Sequence, residues 1–319
     1  MSKSVSSTAR WNAADYAANS AVQQTWAREL IARLNLRGDE HVLDVGCGDG
    51  KVSAEIARAV PRGSVAGVDV SAEMVAFARK AFPPAAICNL TFRVCDARKI
   101  GSVGRVTPCA PSPGASGGQR IARPPFAAQQ FDVVFSNAAL HWVDDHRAFL
   151  RGVASVLKTG GRLVVSCGGK GNAHDVFVAL RPEMRLKRWR GFFRRIPKPY
   201  FFHSPDSYEK WLPQFGFKSM GVRLVPKDAI YEGPHKFIAW LRTTWLPYVQ
   251  RVPEKVARAS RPSVPSETKC RTGETPVPLN PREEFIAAVA ARYLAKHPPD
   301  AEGNVHVRMV RLEIEAVKA

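Results

Sequence analysis

The sequence predicts an α/β fold: a doubly wound, mostly parallel seven-stranded sheet with a helical cap and two flexible insertions. Three observations lead there. Short apolar runs alternate with amphipathic stretches through the first half of the chain, the first run breaks into a cluster of glycines, and two Pro/Gly/Ser-rich segments interrupt the alternation with no apolar period of their own.

The elements follow in order. Residues 15–34 place Tyr16, Val22, Trp26, Leu30, Ile31 and Leu34 near helical spacing, which predicts an amphipathic helix. His41–Val45 (HVLDV) is a short apolar strand, followed by a helix over 51–60, a strand over 64–68, a helix over 72–82 and a strand over 90–94. Strand, helix, strand, helix is the rhythm of a parallel sheet. The first insertion occupies 101–128; Phe131–Ser136 (FDVVFS) resumes the sheet, with a helix over 144–157 and a strand over 162–167 after it. Residues 172–216 are basic, aromatic and read as mostly helical, a cap over one end of the sheet. Strands over 217–226 and 305–317 are separated by an amphipathic stretch over 233–251, the second insertion at about 256–281 and a helix over 282–297. In the final strand Val305, Val307, Met309, Val310, Leu312 and Ile314 suit a place beside the sheet edge with one polar face. Two domains are expected: a core over 1–170, and a region over 171–319 holding the cap and the final two strands.

Composition narrows the function. No apolar run reaches 18 residues and Met1–Arg10 lacks the apolar stretch of a secretory signal, so a cytoplasmic protein without a membrane span is expected. Six cysteines, at 47, 88, 95, 109, 167 and 270, show neither CxxC nor zinc spacing, which predicts reduced thiols, no disulfide scaffold and no metal site. The formal charge of +19 invites a nucleic-acid role. Its location argues against one. Residues 98–130 carry five basic and no acidic side chains, 181–198 eight and one, and 251–282 seven and three. Most of the excess thus lies in the insertions and one cap segment, and no recognition motif accompanies it.

The strongest local signal is Val42-Leu43-Asp44-Val45-Gly46-Cys47-Gly48-Asp49-Gly50. A buried strand running into glycines lets backbone approach a ligand at the start of the next helix. The dinucleotide fingerprint GxGxxG is not met, because Lys51 stands where its third glycine belongs. Asp44, two residues before the first glycine, would repel a pyrophosphate but suits an ammonium group. A ligand combining an amino-acid end, a ribose and an adenine without phosphate is S-adenosylmethionine. Asp69, at the second strand end, can accept from both ribose hydroxyls. Asp96, with Ala97 beside it after the third strand, can accept from the adenine amino group, and Val70 and Met74 offer apolar contact to the ring. The cofactor set is therefore Asp44, Gly46, Cys47, Gly48, Gly50, Asp69, Val70, Met74, Asp96, Ala97 and Asn137, the last opening Asn137-Ala138-Ala139 at the fourth strand end.

Residues 41–69 and 131–167 resemble a class I S-adenosylmethionine-dependent methyltransferase, which implies the Rossmann-like fold of that class. More narrowly, Trp11-Asn12 with Tyr16 and Ser20, the run Asn137 to Trp142, and Trp240-Leu241-Arg242-Thr243-Thr244 resemble the trans-aconitate methyltransferase group, which methylates a carboxylate oxygen of a small acid. The two insertions depart from that group, and His141 stands where a glutamine can occur.

Methyl transfer from a sulfonium needs alignment and exclusion of water. An ionised carboxylate acceptor needs no base; Arg242 with Thr243 and Thr244 would then hold it. A hydroxyl or amine acceptor would make a base useful, and His141 beside Asn137 is the candidate catalytic pair, the alternative for His141 being a half-buried ring that orients its loop. Trp11 and Trp142 are candidate pocket walls, and Tyr16 with Ser20 on the first helix could close over the cofactor, core packing being the alternative for Tyr16. No Asn/Asp-Pro-Pro-Tyr/Phe follows the fourth strand, so a small-molecule acceptor, acidic in character, is expected with a monomeric enzyme. The basic, aromatic stretch 185–204 leaves open an acyl group on an acidic carrier protein, or RNA, as the acceptor, and a cofactor-binding protein without catalysis is the third reading.

Overall fold

The computed structural model describes residues 21–101, 126–254 and 280–319. Both expected insertions fall almost wholly outside these residues, as do Trp11, Tyr16 and Ser20. The edges of the first insertion are tighter than expected. Phe126 is buried and meets Phe131 edge-on at 5.2 Å between ring centroids, and a Cβ on Gly101 would stand 2.1 Å from the Ser155 hydroxyl. An aromatic ring and a close helix contact thus belong to the core at either end of that stretch. At the second, Asn280 accepts from the Glu283 amide and Pro281 opens a helix, so both belong to a helix start.

The sheet has seven strands: β1 (His41–Val45), β2 (Ser64–Asp69), β3 (Leu90–Val94), β4 (Phe131–Asn137), β5 (Leu157–Gly168), β6 (Phe217–Tyr231) and β7 (Val305–Lys318). Their order is β3-β2-β1-β4-β5-β7-β6. The first five pair in parallel and β7 runs antiparallel to β5, so β7 lies beside the edge strand, as its alternation suggests. β6 extends past Pro226 to Tyr231; an edge strand tolerates the missing N–H of a proline.

Adjacent residues on each strand feed opposite faces. Leu43, Val45, Val134, Leu163 and Val165 enter one core cluster with Phe149 and Val153 of α4 (His146–Val156). Val42, Val133, Phe135 and Val164 enter the other with Leu30 and Leu34 of α1 (Ala21–Leu34), Ile56 of α2 (Lys51–Ala59) and Val75 of α3 (Ala72–Ala81). Burial on both faces is why these strands read as continuous apolar runs.

The chain forms two compact units that interleave in sequence. The first comprises Met1–His174, Pro197–Ala229 and Val307–Ala319; the second Asp175–Ile196 and Ile230–His306. These bounds differ from a division at residue 170, because Pro197–Ala229 and Val307–Ala319, which hold most of β6 and β7, group with the rest of the sheet. The stretch 172–216 is also less helical than expected. Only α5 (His174–Arg185) and α6 (Pro205–Trp211) are α-helical, and Pro197 and Pro199 suit the extended chain between them. The second unit adds α7 (Gly233–Thr244), α8 (Leu246–Val249) and α9 (Pro281–Leu294) around Phe237, Trp240, Phe285 and Tyr293. Among the described residues no helix is long and apolar enough to cross a membrane.

Candidate active site

A cleft opens at the carboxyl ends of β1 to β4, the position that a doubly wound sheet reserves for ligands. One half is lined by Gly46, Gly48, Asp69, Val70, Met74, Asp96, Ala97, Arg98, Asn137 and Trp142 among others. A smaller adjoining half is lined by Asp44, Cys47, Asp49 and Lys51, and shares Gly46, Gly48, Asn137 and Ala138 with the first. The sequence-predicted residues of the first unit are thus brought together, except His141 and Gly50; Trp11 and Tyr16 lie outside the described residues.

The glycine loop is held from β2. The amides of Gly46 and Cys47 both donate to the Val68 carbonyl, at 2.7 and 3.0 Å. Asp69 then fixes the next turn, one carboxylate oxygen accepting from the Gly48 amide at 3.1 Å and the other from the Ser71 amide at 2.8 Å. Burial raises the Asp69 pKa, opposed by these amides. Gly46 adopts φ 78°, and a Cβ there would come within 2.1 Å of the Ala139 Cβ. The backbone of β1 and the end of β4 therefore meet where only glycine fits. Gly50, at φ 84°, caps α2 rather than lining the cleft.

Asp44 is 2% exposed, and the Ser53 hydroxyl donates to it at 2.6 Å. Burial pushes its pKa up to about 7, with the Asp69 charge adding to the rise and the Ser53 hydrogen bond opposing it. An acid so placed favours a cationic neighbour.

Asp96 differs from expectation. Its carboxylate caps a short helix by accepting from the Arg98 amide, and the Arg98 guanidinium forks onto both oxygens at 2.6–3.1 Å while reaching Asp144 at 2.9 Å. These contacts hold the Asp96 carboxyl below the usual range despite burial. Arg98, two residues on, is a cleft residue that sequence reasoning missed.

At the β4 end, Ala138 takes φ 56° and its amide donates to the Ser166 carbonyl at 2.8 Å, turning the chain under the cleft. The Asn137 side-chain oxygen accepts from Arg311 of β7 at 3.0 Å. Arg311 was missed because alternation puts it on the polar face of the last strand. That face is covered: Arg311 is 5% exposed, its guanidinium lies 5.4 Å from the Trp26 ring of α1, and Arg33 of the same helix pairs with Glu313 at 2.8 Å.

His141 is absent from the cleft lining. Its Nδ1 accepts from the Gly168 amide at 3.2 Å, which leaves the proton on Nε2, and its ring lies among Trp142, Tyr200 and Phe202. Burial, with Arg311 and His146 nearby, lowers its pKa to about 3. Arg242 is engaged too. It forks onto Glu283 at 2.9 and 2.5 Å within the second unit, while the Thr243 hydroxyl bonds back to the Ala239 carbonyl.

Residues 36–186 match a family model described as a methyltransferase domain. An uncharacterized methyltransferase of Schizosaccharomyces pombe is 30% identical over 211 residues, which cover 65% of this chain and 70% of that protein. A trans-aconitate 2-methyltransferase of Rhodopseudomonas palustris (strain BisB5) is 25% identical over 97% of this chain and all of its own length. Among solved structures, a putative methyltransferase of Bacillus halodurans superposes with a TM-score of 0.52 at 17% identity, covering 92% of this chain and 98% of that one, a likeness of fold.

Proposed function

This chain belongs to the class I S-adenosylmethionine-dependent methyltransferases, and we propose that its acceptor is a carboxylate oxygen of a small acid. The donor supplies a methyl group on a positively charged sulfur, activated for displacement. Asp44 would face its ammonium group, with Asp69 toward the ribose hydroxyls and Val70, Met74 and Ala97 along the adenine. Asp96 would serve the adenine end mainly by holding its loop through Arg98. Trp142 would stand toward the acceptor, with Asn137 between it and the cofactor.

The observation that carries the acceptor reading is His141. A nitrogen already accepting from a backbone amide, in a ring kept neutral to about pH 3, does not take a proton from a hydroxyl or an ammonium group. A carboxylate is ionised at neutral pH and asks for no base. The trans-aconitate 2-methyltransferases, similar over their full length, support the same class. Arg242, once a candidate for holding the acid, is left out because Glu283 engages it.

Labelled S-adenosylmethionine incubated with a panel of di- and tricarboxylic acids tests the proposal. A base-labile labelled methyl ester is expected from at least one acid, with a rate that at saturating cofactor is flat between pH 6 and 8 and still flat in His141→Gln. Label appearing only on hydroxyls or amines, or none on any acid, would overturn it.

A second reading is favoured by one surface. Arg185, Lys187, Arg188, Arg190, Arg194 and Arg195 of the second unit are all exposed beside Leu186 and Phe192, a patch suited to an acidic carrier protein bearing the acid as an acyl group. Methylation of a carrier-bound acid that collapses with salt, while free acids stay inert, would select it.

A further inference from the structure

We propose that Arg311 is the positioning residue for a carboxylate at the Asn137 end of the cleft, acting through the Asn137 side-chain amide. Taking a guanidinium out of water is costly, and this one is buried on β7 at the register position of Gly168. Its Nη2 donates to the Ser166 carbonyl at 2.6 Å and to the Asn137 side-chain oxygen at 3.0 Å, its Nε donates to the Ser166 hydroxyl at 3.1 Å, and the Trp26 ring covers it. Guanidinium carries only donors, so Asn137 must turn its oxygen toward Arg311 and its NH2 group the other way. Asn137 lines both halves of the cleft. An N–H donor oriented in this way, with a fixed cation behind it, favours an anionic oxygen. The same cation adds to burial in lowering the His141 pKa.

Two carboxylates meet this description: the α-carboxylate of the methyl donor and the carboxylate of the acceptor. The second rests on the acceptor reading above; the first does not. Three variants separate them. Arg311→Gln removes the cation and Arg311→Lys keeps the charge without the fork. Asn137→Asp keeps a partner for Arg311 but replaces the NH2 group with an oxygen. Each is measured for binding of S-adenosylhomocysteine and its decarboxylated analogue by calorimetry, for the KM and kcat of a methylated acid, and for Tm.

If the donor carboxylate is held, Arg311→Gln and Asn137→Asp weaken S-adenosylhomocysteine by about tenfold or more and leave the decarboxylated analogue nearly unchanged. If the acceptor carboxylate is held, both variants raise the KM of the acid by a similar factor with kcat little altered. Arg311→Lys falls between wild type and Arg311→Gln in either arm. Should Arg311→Gln not fold, Asn137→Asp, which leaves the buried cation paired, decides alone. Folded variants that weaken both cofactor products equally, or neither, with the KM of the acid unchanged, overturn the proposal. If wild type methylates no acid, the acceptor reading fails on its own and the donor arm still decides.

Discussion

The Gly46 backbone and the Ala139 methyl group are packed so closely that a Cβ on Gly46 would stand 2.1 Å from the Ala139 Cβ. This contact brings the ends of β1 and β4 together along the shared border of the two cleft halves. Gly46→Ala therefore meets two costs: a left-handed backbone at about 1–2 kcal/mol and an overpacked contact at about 1–3 kcal/mol. Thermal unfolding should show a loss of about 2–5 kcal/mol, and calorimetry a loss of cofactor-product binding. Adding Ala139→Gly should recover the packing part alone. A double variant no better than the single would mean that the contact is not the source of the loss.

If Asp44 faces the ammonium group of the cofactor as proposed, binding should depend on pH. Its pKa is raised to about 7 in the folded protein, so the free protein holds this proton and binds an ammonium group by releasing it. Affinity should rise between pH 5 and 7 and then level, with proton release near pH 6 measured by calorimetry in buffers of different ionisation enthalpy. Asp44→Asn should abolish both the slope and the release. For folding the sign is reversed: a raised carboxyl pKa costs the free protein stability progressively as pH climbs from the ordinary carboxylate range through about 7, so Asp44→Asn should gain most above that window.

Asp69 bridges the Gly48 and Ser71 amides, so its removal should act on the cofactor and on the loop together. Asp69→Ala should weaken S-adenosylhomocysteine by about 1.5–3 kcal/mol or more, the worth of hydrogen bonds to a charged group. Asp69→Asn, which keeps one acceptor oxygen, should lose less. Equal affinities for wild type and Asp69→Ala would remove the ribose assignment.

Arg242→Ala tests the proposal that Arg242, engaged by Glu283, does not hold the substrate. Its guanidinium pairs with Glu283 across a partly exposed surface, where such pairs contribute about 1 kcal/mol or less after solvent screening. Tm should fall by a few degrees at most, and the KM of any methylated acid should stay within twofold. A large rise in that KM with an unchanged Tm would return Arg242 to the acceptor.

The sheet was legible because each parallel strand is a short apolar run bounded by turn residues, and β1 and β3 begin and end where their runs do. The cleft followed, since Asp44, Asp69, Asp96 and Asn137 sit at strand ends whose place is set by topology alone. What escaped was pairing at a distance. Nothing near Arg242 in the chain announces Glu283, forty-one positions later. Nothing about Arg98 distinguishes it from a solvated surface arginine until Asp96 and Asp144 are seen to flank it. Alternation in β7 separates two faces correctly but does not say that α1 covers the polar one. The stretch 186–204 failed for a different reason: its charge and aromatic content look helical, but Pro197 and Pro199 disfavour helix at its far end.

The placement of β7 between β5 and β6 has a consequence for how the protein is made. Asn137 and its partner Arg311 are 174 positions apart, and a ribosome-bound chain that has emerged only through β5 holds every strand-end acid of the cleft but not the cation behind Asn137. Such a nascent chain also presents β5 as a bare, apolar sheet edge until β7 arrives to pair with it. Completion of the Asn137 end of the cleft and protection of the β5 edge are thereby deferred to the same late event in synthesis, the docking of one antiparallel strand.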